Sequence, residues 1–179
     1  MAARALCKPY INTLNSEFMA ESVAFSKTAD REVIYAEIAP QIEALIAGEA
    51  DLIANLANVA AVLREAFGFF WVGFYLVKDG ELVLGPFQGP LACTRIKLGM
   101  GVCGHAWERK ETVIVPDVEK FPGHIACSSL SRSEIVLPVF GPSGEVMGVL
   151  DADSDAVDDF SQIDADGLGR IVKILENAL

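Results

Sequence analysis

The chain has 179 residues and a formal net charge of −11, and hydrophobic residues make up 52% of it. This length and composition suit one domain with a sizeable core, alone or with a helical extension. We expect neither nucleic acid nor a membrane as a partner, because the negative charge is repelled by both polyanions and no apolar run reaches the roughly 18 residues of a membrane span. The first residues carry no apolar stretch typical of a secretory signal, so we expect a cytoplasmic location.

The first half of the chain predicts an extension, two helices and a hairpin. Asp30 and Asp51 each precede apolar residues at helical spacing and stand where helix N-caps are favoured, and Gly48 ends the first helix. The dipeptide Asp79-Gly80 is typical of a tight turn between two strands. The predicted elements are an irregular or partly helical extension at 1–30, helices at 30–47 and 51–67, and strands at 69–77 and 81–87.

The second half predicts long loops, a second hairpin and a closing helix. Seven glycines and prolines between 85 and 104 indicate a mostly irregular segment there. The elements predicted after it are a short helix at 104–109, a strand at 112–115, a loop at 116–133, strands at 134–140 and 145–151 joined by a turn at 141–144, and a helix at 161–178. Ile163, Leu168, Ile171, Ile174 and Leu175 are predicted to face inward from that last helix.

This order of elements indicates a mixed α/β (α+β) domain with a central antiparallel sheet flanked by helices. Hairpins build antiparallel sheets, and helices that precede and follow them cover a face of the sheet. Long loops within a compact domain are usually functional. Two such loops contain three of the four cysteines.

The four cysteines are Cys7, Cys93, Cys103 and Cys127. Structural disulfides are not expected in a reducing compartment, and no Cys-x-x-Cys pair or zinc-finger spacing of histidines is present. A metal site is therefore disfavoured, and no cofactor is expected. The remaining alternatives are buried inert thiols and redox-active thiols, and Cys103, between Val102 and Gly104, is the best candidate for an inert one.

Three carboxylates form a second candidate cluster. Glu134 opens one strand of the second hairpin, and Asp151 and Asp153 end the other, so the hairpin brings them together. Asp151 and Asp153 are two residues apart and face the same side of an extended strand. Such a group raises the pKa of one member, which then holds a proton near neutrality. A solvated strand end explains the pattern equally well.

Trp71 and Tyr75 share one face of the first predicted strand. Ordinary core packing is the favoured interpretation from spacing alone. Aromatic rings with polar tips also suit the wall of a pocket for a half-polar ligand.

From about Asp51 to Asp153 the chain strongly resembles the free methionine-(R)-sulfoxide reductases, which are stand-alone GAF domains. The segments that carry the resemblance are WVGFY at 71–75, GPFQG at 85–89, GVCG at 101–104, VPDV at 115–118, FPGHIAC at 121–127, SEIVLP at 133–138 and GVLDADS at 148–154. The resemblance implies a single GAF domain, which we place at 31–179 after an N-terminal extension at 1–30. Ser128 stands where many members are expected to carry Asp, and Cys7 has no counterpart in the family.

The resemblance implies roles for the three loop cysteines. Cys127 matches the catalytic cysteine, which attacks the sulfoxide sulfur and becomes a sulfenic acid. Cys93 matches the resolving cysteine, which forms a disulfide with Cys127. Cys103 matches a third cysteine with a secondary role.

The resemblance also implies a substrate site and partners. Glu134, Asp151 and Asp153 match carboxylates that hold the substrate, and Trp71 and Tyr75 match aromatic residues of the pocket. The expected activity is that of an oxidoreductase of the oxidative-stress response, which reduces free L-methionine-(R)-sulfoxide. Family members are typically homodimers that thioredoxin recycles, so we expect a homodimer and thioredoxin as the reductant.

Two other functions compete with this one. A GAF module that binds a small ligand as a sensor would perform no chemistry, although the chain shows no kinase, cyclase or DNA-binding segment to receive a signal. A redox-sensing protein would cycle its thiols with peroxide and show no preference between sulfoxide epimers.

Overall fold

The structure, a computed structural model, describes residues 23–125 and 128–179. Most of the predicted 1–30 extension therefore lies outside the described residues, and residues 23–30 contain no helix or strand. The elements are α1 (Arg31–Ile46), α2 (Leu52–Phe67), β1 (Trp71–Lys78), β2 (Glu81–Gln88), β3 (Arg95–Lys97), α3 (Gly101–Arg109), β4 (Val113–Val115), β5 (Ser133–Phe140), β6 (Val146–Ser154) and α4 (Gln162–Asn177), with a 3₁₀ turn at Val118–Lys120. None of the described helices combines the length and apolar character that a membrane crossing requires.

The six strands form one sheet in the order β3-β2-β1-β6-β5-β4, and every neighbouring pair is antiparallel. Each predicted hairpin is present: Asp79 and Gly80 both have positive φ, as the tight turn between β1 and β2 requires. Helices cover both faces of this sheet. The predicted α/β fold, a central antiparallel sheet flanked by helices, is confirmed.

Caps explain where two of the helices begin and end. The Asp51 side chain accepts a hydrogen bond from the Ala54 amide at the start of α2, and Gly68 ends that helix in the left-handed conformation. At α4, Ser161 and Asp164 form a reciprocal capping box. The predicted cap at α1 is wrong in one respect, because the Asp30 side chain makes no capping hydrogen bond.

Helices α1, α2 and α4 bury one face of the sheet. Their apolar residues pack against Val72 and Phe74 of β1 and against the alternate residues of β5 and β6. Ion pairs connect α1 to the start of α4. Arg31 of α1 contacts the Asp159 carboxylate at 2.9 Å and the buried Asp164 carboxylate at 3.0 Å. The three helices and this face of the sheet therefore share one hydrophobic core.

Helix α3 lies on the opposite face, together with the loops that follow β2 and β4. Val102 and Ala106 of α3 pack against Tyr75 and Val149 of the sheet. This layer is thinner than the helical layer on the other side. The sheet thus has one face that stabilises the domain and a second face that borders the loops.

The structure differs from the prediction at three places. Strand β3 lies within the segment predicted to be irregular, and α3 begins at Gly101 rather than at 104. Glycine is needed in α3 because a Cβ at Gly104 would lie 2.5 Å from the Lys97 carbonyl oxygen, so the glycines permit close packing here rather than a loop. Ile163 was predicted to face inward, which is wrong: it is 46% exposed, because it lies outside the stripe of Leu168, Ile171 and Leu175.

Candidate active site

Side chains alternate between the two faces of a strand, and the predicted site residues of β1, β5 and β6 all project from the same face of the sheet. Trp71 of β1 is the register partner of Asp153 in β6, and Asp153 is in turn the register partner of Glu134 in β5. Asp151 comes two residues before Asp153, and Tyr75 comes four residues after Trp71, so their side chains leave the sheet on that same side. This is the face that α3 and the loops cover.

These residues line a narrow cavity with about 40 Å³ of free space for solvent. The strands form its floor, the start of α3 forms one wall, and the rim includes residues of segment 91–96 together with His124, Ile125, Ser128 and Ser131. The Trp71 and Tyr75 rings stack with their centroids 6.0 Å apart, and Phe87 stacks on the other side of Trp71 at 5.4 Å. An aromatic wall with a few polar groups is the lining that small-molecule sites favour.

The polar end of the cavity is a carboxylate cluster, Glu134, Asp151 and Asp153. Glu134 and Asp151 are each only 6% exposed. Cys103 lies beside them, with its Sγ 3.2 Å from Asp151 Oδ2 and 3.9 Å from Glu134 Oε1. Sulfur and carboxylate atoms of Cys103, Glu134 and Asp151 all lie within 4.8 Å of one another, so these three residues could hold a metal ion.

Few groups in residues 23–125 and 128–179 offset the charge of this cluster. No lysine or arginine there forms an ion pair with it, and the nearest basic group is His124, whose Nε2 lies 3.8 Å from Glu134 Oε2. Ser131 donates a short hydrogen bond to Asp153. Two buried polar atoms of the cavity have no hydrogen-bond partner in the described part of the chain: Trp71 Nε1, a donor, and Asp151 Oδ1, an acceptor.

Burial sets the protonation of the cluster. Loss of solvation raises the pKa of Glu134 and of Asp151 well above the ordinary range, and repulsion between the carboxylates raises both further. The pKa of Asp153 rises from 3.8 to about 6, mainly by burial, while the hydrogen bond from Ser131 opposes the rise. The same burial raises the pKa of the Cys103 thiol and lowers that of His124. The cluster therefore holds protons near neutral pH.

Comparison with known proteins identifies the family. Residues 49–179 match the GAF domain. The chain is 47% identical to the free methionine-R-sulfoxide reductase of Escherichia coli, over 81% of this chain and 88% of that protein. It is 37% identical to the yeast (Saccharomyces cerevisiae) enzyme of the same name, over 89% of this chain and 93% of that one.

A solved structure agrees with these relatives. The X-ray structure of free methionine-R-sulfoxide reductase from Neisseria meningitidis in complex with its substrate superposes with a TM-score of 0.85 at 58% identity. It aligns over 88% of this chain and 94% of that one. The chain belongs to the free methionine-R-sulfoxide reductase family of GAF-domain proteins. Membership makes it an oxidoreductase that acts on a sulfur group.

The structure brings most of the residues that we predicted from this family resemblance to one place. Trp71, Tyr75, Cys103 and the carboxylate cluster all line the cavity. Cys93 lies at the edge of the apolar cluster around it, is disulfide-bonded, and its carbonyl accepts a hydrogen bond from the Tyr75 hydroxyl at 3.0 Å. Cys127 lies outside the described residues, so its predicted catalytic role stays a prediction. The domain boundary at residue 30 also stays a prediction.

Two polar residues of the cavity in this member of the reductase family were not predicted as site residues from the sequence. Ser131 hydrogen-bonds Asp153 from the loop before β5, and His124 approaches Glu134 from the loop after the 3₁₀ turn. Their positions depend on the course of the 116–133 loop, which has no periodicity to indicate it. The one available signal for His124 was its place within the FPGHIAC segment.

Proposed function

We propose that this protein reduces free L-methionine-(R)-sulfoxide to methionine, and that the cavity above β1, β5 and β6 binds the substrate. The observation that carries the proposal is the carboxylate cluster, which is buried beside an aromatic wall and lacks a lysine or arginine partner among the described residues. Such a site calls for a ligand that brings a positive charge on one side and an apolar group on the other. A free amino acid with a short thioether-like side chain has both.

The ligand would bind with its ammonium toward the carboxylate cluster. Ion-paired hydrogen bonds to buried carboxylates are among the stronger polar contacts in proteins. Its side chain would lie against Trp71 and Tyr75, and the unpartnered Trp71 Nε1–H would donate to the sulfoxide oxygen or to the α-carboxylate. A peptide-bound methionine sulfoxide lacks the ammonium and would leave the cluster without compensation. We therefore infer that the enzyme acts on the free amino acid.

The chemistry would proceed in two thiol steps. The Cys127 thiolate attacks the sulfoxide sulfur and forms an S–S bond, while the protonated sulfoxide oxygen leaves as water. Water then attacks the Cys127 sulfur, so that the S–S bond breaks, methionine leaves, a proton is released and Cys127 becomes a sulfenic acid. A protonated carboxyl of the cluster supplies the proton that makes oxygen a better leaving group, which the raised pKa of Glu134 favours. The Cys93 thiol then displaces water from the sulfenic acid and forms a disulfide with Cys127.

A dithiol must reduce that disulfide before the next turnover. The disulfide-bonded state of Cys93 and its place beside the cavity support its role as the resolving cysteine. Thioredoxin as the reductant, the homodimer and the cytoplasmic location are parts of the proposal that rest on the family resemblance.

An epimer-resolved reductase assay tests the proposal. The purified protein, with a dithiol present, should convert free methionine-(R)-sulfoxide and leave both the S epimer and the N-acetylated R epimer largely unreacted. N-acetylation removes the positive charge and adds little bulk, so equal rates on the free and acetylated substrates would refute the role given to the carboxylates. A ligand sensor would yield no methionine at all.

Cysteine variants test the order of the thiol steps. Cys127→Ser should abolish product formation, whereas Cys93→Ser should release one equivalent of methionine per chain without added dithiol. Cys7→Ser is the matched control and should retain turnover. Full single-turnover product from Cys127→Ser would overturn the assignment of Cys127 as the nucleophile.

A further inference from the structure

The carboxylate cluster and Cys103 form a donor set that the proposed reduction does not fully use. Cys103 is a buried free thiol that points at two buried carboxylates, while the proposed nucleophile and resolving thiol are other cysteines. Asp151 presents a second observation: its Oδ1 is buried and has no hydrogen-bond partner among the described residues. A buried acceptor beside a cavity that lacks a donor indicates a missing donor or cation.

We propose that Cys103, Glu134 and Asp151 bind a zinc ion, which keeps its fourth position for a water molecule or another external ligand. Zinc prefers four-coordinate sites made of cysteine sulfur, histidine nitrogen and carboxylate oxygen. A thiolate ligand favours zinc over magnesium or calcium, which prefer oxygen ligands alone.

The spacing of the donors fits a tetrahedral ion. Zinc–sulfur and zinc–oxygen bonds of about 2.3 and 2.0 Å place the two ligand atoms about 3.5 Å apart across a tetrahedral angle. The Cys103 Sγ lies 3.2 Å from the Asp151 oxygen and 3.9 Å from the Glu134 oxygen, which bracket that value. Shifts of a few tenths of an ångström would bring these three side chains to the spacing of zinc ligands.

Charge supports the same conclusion. Cys103, Glu134 and Asp151 together carry up to three negative charges when ionised, and no lysine or arginine of the described residues pairs with them. A divalent cation offsets their repulsion and displaces the Cys103 proton as it binds. Once the cation neutralises these three groups, burying them costs less free energy than burying each charge alone.

The ion would occupy the place that the proposed function gives to the substrate ammonium. Zinc and free methionine sulfoxide would then exclude each other, so zinc would act as a competitive inhibitor. This consequence rests on the proposed function, whereas the metal site itself does not. Binding is therefore measured directly, without turnover.

Cobalt titration of a single-thiol variant tests the site. A chain that carries Cys7→Ser, Cys93→Ser and Cys127→Ser retains Cys103 as its one thiol. Cobalt(II), a spectroscopic substitute for zinc, should bind at one ion per chain and produce the sulfur-to-cobalt charge-transfer absorption and the visible bands of tetrahedral coordination. Added zinc should abolish both signals. Absence of the charge-transfer absorption would refute the proposal.

Further variants in this background separate the site from surface binding. Asp151→Asn should weaken cobalt binding by at least about tenfold, the scale on which even indirect contacts to a metal act. Asp155→Asn removes a nearby exposed carboxylate and should leave the affinity unchanged. Equal affinity in the two variants would mean that the metal binds elsewhere. Circular dichroism confirms that each variant is folded, and a zinc-dependent rise in Tm of the single-thiol protein gives a second measure of binding.

Competition then tests the link to substrate. The single-thiol variant lacks the proposed nucleophile, so it can bind free methionine sulfoxide without consuming it. The sulfoxide should displace cobalt in proportion to its concentration. A cobalt signal that the sulfoxide does not change would overturn the competition, and an inactive wild-type protein that still binds cobalt would refute the proposed function alone.

Discussion

Replacing Asp153 by asparagine should stabilise the ligand-free protein at neutral pH while it weakens catalysis. Asp153 lies next to Glu134 across two paired strands and accepts a hydrogen bond from Ser131. Burial raises its pKa from 3.8 to about 6. An ionised Asp153 is therefore less favourable in the folded chain than in the unfolded one, and asparagine keeps the shape and the acceptor without the charge.

The magnitude and its pH range follow from the pKa. A rise from 3.8 to about 6 corresponds to about 3 kcal/mol. This is a ceiling because the side chain is partly exposed, so we expect a gain of about 2 kcal/mol in the free energy of unfolding. At pH 4 Asp153 is protonated in the folded chain and partly ionised in the unfolded one, so the wild type and variant should differ by only about 0.5 kcal/mol, and the difference vanishes at lower pH. The wild type loses this contribution as the pH rises through about 6, so the difference appears between those values and persists above.

Thermal unfolding of the reduced proteins at pH 4 and pH 7.5 measures the effect. A gain of about 2 kcal/mol should raise Tm at pH 7.5 by about 4–8 °C for a chain of this size, with little change at pH 4. Asp155→Asn is the matched control, since it makes the same charge change at an exposed position close by. An Asp153→Asn protein that is less stable than wild type at pH 7.5, or an equal gain in the control, would refute the reasoning.

Three other changes have expected outcomes. Gly73→Ala should raise KM at least about tenfold and lower Tm, because its Cβ would lie 2.3 Å from Phe87 Cβ and 2.7 Å from the Trp71 ring in the cavity wall. Ser131→Ala removes a hydrogen bond that lowers the pKa of Asp153, so the pH profile of kcat/KM should move to higher pH; an unmoved profile would contradict this link. Arg31→Met should cost about 2–3 kcal/mol in denaturant unfolding, because it leaves the buried Asp164 carboxylate without its cation.

Local signals were sufficient for most of the regular elements of this fold. Asp79 and Gly80 fixed the first hairpin because the tight turn needs residues that accept positive φ. Strand β3 could not be predicted, since its three residues become a strand only by pairing with distant β2, where Ile96 lies opposite Leu82. Ile163 was misplaced because it lies five residues before Leu168, which turns it about 140° around the helix and off the buried stripe.

The candidate site, too, could be predicted from the sequence only in part. The convergence of Glu134 and Asp153 followed from hairpin geometry, and the structure makes them register partners. Burial could not be inferred, because the sequence suits a solvated strand end equally well, whereas Glu134 and Asp151 are 6% exposed. That burial comes from α3 and the loops, whose path no periodic pattern specifies. Ser131 and His124 were missed for this reason.

Alternate side chains of β1 face either the helices or the cavity, so evolution selects neighbouring residues of this strand for different properties. Val72, Phe74 and Leu76 pack against the helices, while Trp71 and Tyr75 belong to the cavity. Substitutions at the odd-numbered positions of β1 can change which ligand binds, while the residues at the even-numbered positions keep the core packed. An insertion or deletion of one residue exchanges the two sets and damages both at once. Length changes in this strand should therefore be purged during evolution, and diversification of its ligand should proceed by point substitution alone.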